Sequence, residues 1–98
     1  MSGINYIEDV SSDNLECLQG QLADGRVFIF RNMYGHSAVR VSSLPADSPR
    51  AAKNGITVYE SRHADGIRWG PGAVALIVAK SVKIWDKTVA RSDCEVYA

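Results

Sequence analysis

The stretch from Leu18 to Arg31, Leu18-Gln19-Gly20-Gln21-Leu22-Ala23-Asp24-Gly25-Arg26-Val27-Phe28-Ile29-Phe30-Arg31, constrains the fold more than any other. Asp24-Gly25 sits between an alternating arm and a β-branched and aromatic arm, the pattern of a β-hairpin. Aspartate tolerates positive φ and glycine adopts it without a steric cost, so the pair suits a tight turn. Two registers compete. A two-residue turn puts Gly20, Leu22, Val27 and Ile29 on one face. A three-residue loop, Ala23-Asp24-Gly25 with a glycine bulge, instead groups Leu18, Gly20 and Leu22 with Phe28 and Phe30. A slip of one residue exchanges the faces, so only one register makes the main core. The second is favoured because it sets two leucines against two phenylalanines and leaves Gly20 opposite a ring. In both, Val27-Phe28-Ile29-Phe30 is apolar on its two sides, as in an interior strand covered on both faces.

Around this hairpin the chain, at 98 residues, reads as a single domain, 1–98. Ile4 to Val10 alternates and resembles an edge strand blunted by carboxylates. Asn32 to Ser37 reads as a loop, and Ala38 to Ser42 as a short strand. Ser48 as cap, Pro49 at the first helical position and Asn54-Gly55 as a stop predict one short helix near Pro49-Asn54. A second hairpin is expected from Ile56-Thr57-Val58-Tyr59-Glu60, through His63-Ala64-Asp65-Gly66, into Ile67-Arg68-Trp69. After the break at Gly70-Pro71-Gly72, Val74 to Val78 reads as a buried strand and Ser81 to Trp85 as an alternating one. A helix through both is the rival, and the β-branched residues weigh toward strand. Asp93 to Tyr97 adds a final edge strand. The predicted class is all-β, with α+β as the alternative: a small antiparallel barrel or sandwich of about six to eight short strands.

The formal net charge is +0, which argues against holding nucleic acid or acidic lipid by the overall field. Acidic residues precede the first base, and Arg26, Arg31, Arg40, Arg50 and Lys53 then share their stretch only with Asp47. Such an asymmetry suits a specific partner or self-association, unless strand pairing cancels it. The N-terminal residues lack a basic and apolar leader, and the run Ala73–Ala79 is too short to cross a bilayer. A cytoplasmic location is expected, with a virion as the alternative and no membrane partner. Cys17 and Cys94 then read as free, packed thiols; a bridge between them is the alternative.

No motif for catalysis, cofactor or metal stands out. Cys17 or Cys94 with His36 or His63 supplies the residue types of a Cys-His enzyme, yet no family signature surrounds either cysteine. Zinc ligands usually come in near pairs, and these four do not. Val27-Phe28-Ile29-Phe30, flanked by Arg26 and Arg31, faintly resembles the aromatic strand motif of cold-shock domains, but the companion Gly/aromatic motif is absent. The resemblance implies a barrel that stacks single-stranded nucleic acid on exposed rings. Lys83 and Trp85 would share one side of a strand in a second basic-aromatic face. The preferred expectation is a non-enzymatic module that binds another protein or copies of itself, such as a small bacterial or phage inhibitor or a particle accessory subunit. Its contact residues are expected to be Tyr34, Arg68, Trp69 and Trp85, the types that anchor interfaces when exposed.

Overall fold

The computed structural model describes residues 3–64 and 66–97, with side chains through residue 90. Five antiparallel strands, β1 (Ile4–Asp9), β2 (Glu16–Leu22), β3 (Val27–Met33), β4 (His36–Val41) and β5 (Ile56–Arg62), pair strictly with their sequence neighbours. A short 3-10 helix (Pro49–Asn54) lies between β4 and β5, and α1 (Gly70–Tyr97) follows the sheet. Leu22 N donates to Arg26 O at 2.7 Å, closing a three-residue Ala23-Asp24-Gly25 loop with Gly25 at φ 94°. Leu18 therefore opposes Phe30, and Gly20 opposes Phe28. This is the expected register. Gly20 is required there because an added Cβ would collide with the Tyr6 carbonyl oxygen and come within 2.9 Å of Phe28 Cζ.

β3 is central and apolar on both sides, as its sequence predicts. Phe28 and Phe30 join Leu18, Leu22, Val39, Val41, Val74, Val78 and Val82 in the core under α1. Val27 and Ile29 point to the opposite face and pack on Ala52 of the 3-10 helix. That helix starts as expected: Ser48 Oγ accepts from Arg50 N at 3.3 Å, with Pro49 at its first position.

Several expectations are corrected. The sheet is open and has five strands, fewer than the barrel or sandwich expectation required. Asn32 to Ser37 is not a loop: β3 and β4 extend to a two-residue turn at Tyr34-Gly35, whose φ angles of 53° and 74° are those of a type I′ turn. Ile67 to Trp69 forms no returning strand, and Asp65 of the expected turn lies outside the described residues. Val74–Val78, Ser81–Trp85 and the tail are helix, not strand. Helical periodicity overrides β-branching here. Val74, Val78, Ser81 and Val82 are buried at helical spacing, whereas Leu76 and Ile84 are 57% and 65% exposed. Gly70-Pro71 begins this helix instead of breaking a strand, since the missing N–H of proline costs nothing in a first turn. Among the described residues Cys17 is a free, half-buried thiol; the Cys94 side chain, and with it the alternative of a bridge, lies outside those described.

Candidate binding face

The two faces of the sheet are covered unequally. α1 closes one face and is fastened at both ends of β2. At the first end Glu16, in phase with Leu18 and Leu22 and only 5% exposed, turns its carboxylate into the core side. It accepts from Trp69 N at 2.8 Å, Gly70 N at 2.9 Å and Asn32 Nδ2 at 2.9 Å. Asn32 is its cross-strand partner and also donates to Ile67 O at 2.7 Å. Burial alone would push the Glu16 carboxyl up, but these donors, with Arg68 nearby, hold it below the ordinary glutamate value. Glu16 thus caps α1 from another element, placing negative charge at the positive end of the helix. At the other end Arg26 donates to both Asp86 oxygens, at 3.1 and 2.9 Å, and to Asp24 Oδ2 at 2.8 Å.

The opposite face is only partly roofed. The 3-10 helix covers Val27 and Ile29 at the hairpin end, and the remainder forms a groove of about 700 Å³. Leu15, Cys17, Ile29, Met33 and Ala38 supply apolar lining, and Arg31, Arg40 and Lys53 supply positive charge. Arg31 directly opposes Cys17 on β2 and Ala38 on β4. Arg40 is steadied by donating from Nη1 to Lys53 O at 2.7 Å. At the rim His36 Nε2 lies 3.4 Å from Glu60.

Tyr34 stands where this groove meets a smaller polar cleft of about 250 Å³ lined by Asp13, Glu16, Asn32, Ile67 and Arg68. Its backbone is left-handed and the residue is 76% exposed. A non-glycine residue in that region costs on the order of 1 kcal/mol, and asparagine is the usual occupant of the position.

Of the expected contact residues, Tyr34 and Arg68 share the polar cleft. Arg68 is exposed, with Nη2 donating to Ser12 O at 2.9 Å and Asp13 O at 3.2 Å. Trp69 is half-buried, packs on the core and meets His63 edge to face with centroids 5.4 Å apart. Trp85 is half-buried on α1, sixteen residues further, about 24 Å along a helix at 1.5 Å per residue. The fold joins the first pair, buries part of the third and separates the fourth. Arg31, Arg40 and Lys53, not among the expected contact residues, converge through the β3–β4 register and the docking of the 3-10 helix on this face. Their sequence signal was the run of bases opposed only by Asp47.

The groove also bears on the other chemistries. No family model, curated protein or solved structure matches this chain. Phe28 and Phe30 are both 0% exposed, so the stacking platform that the cold-shock resemblance implies is inside the core. Lys83 and Trp85 sit two positions apart on a helix, about 200° around it, and share no side. Burial pushes the Cys17 thiol up, outweighing the pull of Arg31 and Lys53, so it is held protonated and not as a nucleophilic thiolate. Among the described residues no three His, Cys, Asp or Glu side chains converge on a metal-sized site, and no helix is long and apolar enough to cross a membrane.

Proposed function

We propose that this chain is a non-catalytic recognition module that docks a polypeptide, from another protein or from a copy of itself, on the open face of its sheet beside Tyr34. The observation that carries this reading is Tyr34 itself. The fold would gain from asparagine or glycine at a left-handed turn position, yet a large aromatic side chain is held there and aimed at solvent. Strained backbone clusters at functional sites, and its retention at an exposed aromatic next to a half-roofed groove supports a binding role for this turn. Arg68 lies on the cleft side of Tyr34 and the Arg31–Arg40 pair on the groove side, so a docked chain would meet arginine on either flank.

Selection of a random peptide-display library on the wild-type protein, with counter-selection on Tyr34→Asn and Ala38→Asp, tests the proposal. The expected result is a shared motif whose affinity falls about tenfold or more on either variant, the loss of one interface anchor. Clones that bind wild type and both variants equally would overturn it.

A further inference from the structure

Resting on the docking reading above, we infer that the groove receives a short acidic segment, with an apolar residue seated between carboxylates. Arg31, Arg40 and Lys53 come from three different elements, yet all line one concavity. Among the described residues none of the three is in a salt bridge, the carboxylate pairings being those of Arg26 with Asp24 and Asp86 and of His36 with Glu60. In a chain with eleven basic and eleven acidic residues, this is a local excess at a concave surface, where low-dielectric walls focus the field. The Lys53 carbonyl fixes one Arg40 nitrogen at 2.7 Å, which orients the guanidinium and leaves its other donors for a carboxylate.

The floor selects the class of anion. Cys17, Ile29 and Ala38 are small or aliphatic, and the two rings of the lining, Tyr34 and His36, stand at the rim and not on the floor. Single-stranded nucleic acid is held by stacking successive bases on aromatic rings, which this floor does not provide. Aliphatic side chains of a peptide fit it. Size argues for a segment over a second folded copy. The strand lining of the groove, from Cys17 and Gln19 on β2, Ile29 to Met33 on β3 and His36 to Arg40 on β4, is roughly 15 Å by 13 Å at ordinary strand spacings, or roughly 200 Å² against about 800 Å² per partner in a stable interface.

Fluorescence anisotropy with three probes separates the alternatives. The first is a labelled octapeptide with two central leucines flanked on each side by three glutamates; the second has lysine for glutamate; the third is an oligothymidine of eight nucleotides. The glutamate peptide is expected to bind, to weaken with added salt, and to lose about tenfold or more in affinity on Arg31→Glu and on Lys53→Glu. Both residues are exposed, and unchanged thermal unfolding of the variants shows that the fold survives. Equal binding of the lysine peptide, unchanged binding by both variants, or tighter binding of the oligothymidine would each overturn the inference. If display selection yields Tyr34-dependent ligands without acidic residues, the acidic segment is refuted while the docking face stands.

Discussion

Glu16 and Tyr34 are the two residues at which local preference yields to something else. Glu16 occupies an inward position of a strand, where a carboxylate is accepted only because three donors meet it. Glu16→Gln keeps the shape but turns an N–H toward the Trp69 and Gly70 N–H groups, and about 1–3 kcal/mol of stability should be lost at pH 7 by urea unfolding. Because folding lowers the Glu16 pKa, its contribution is complete above the unfolded glutamate value of about 4.3 and disappears as pH falls through the folded one. Wild type should therefore lose more stability between pH 6 and pH 3 than the glutamine variant does, which paired unfolding curves will register. Tyr34→Asn should do the reverse of a usual mutation, raising stability by roughly 1 kcal/mol while weakening ligand capture. A Tyr34→Asn protein less stable than wild type would remove strain from the account of that turn.

Between elements, contacts differ in worth. The Arg26–Asp86 pair ties the hairpin to α1, but the Asp86 side chain is half-exposed, so Asp86→Asn should cost less than about 1 kcal/mol. Gly20→Ala should cost more, at least about 2 kcal/mol, because the added methyl meets the Tyr6 backbone and a core ring that has no room to move. Thermal unfolding of the two variants side by side orders them. How far the elements were legible in the sequence follows from where their information lies. The β2–β3 register could be read because Leu18, Leu22, Phe28 and Phe30 agree only in the three-residue loop. The Tyr34-Gly35 turn was hidden because tyrosine carries no signal for positive φ. α1 was hidden because Val74, Val78, Val82 and Ile84 favour strands, whereas its cap, Glu16, lies 54 residues from Gly70. The groove depends on register and on a docked helix together, so neither its cations nor its floor forms a local pattern.

Across the whole molecule, the sheet ends in two open edges, and each is irregular. The pairing register shifts beside Asn5 in β1 and beside Val58 in β5, and bulges of this kind keep edges from templating further strands. β3, paired on both sides and covered on both faces, should carry the slowest-exchanging amides, Val27 to Phe30, in native-state hydrogen exchange. Faster exchange there than in β1 or β5 would contradict the central place of that strand.

The order of the elements along the chain has a consequence for how the protein is made. All five strands leave the ribosome before α1, and each can pair with the one just synthesised because every neighbour in the sheet is a neighbour in sequence. The apolar side formed by Leu18, Leu22, Phe28, Phe30, Val39 and Val41 must then wait for a helix of 28 residues. At roughly 5–20 residues per second the wait is on the order of 1.5–6 s. During that interval the nascent sheet has its oily side bare, and it is then, not in the finished protein, that this chain is most exposed to aggregation and most suited to chaperone capture.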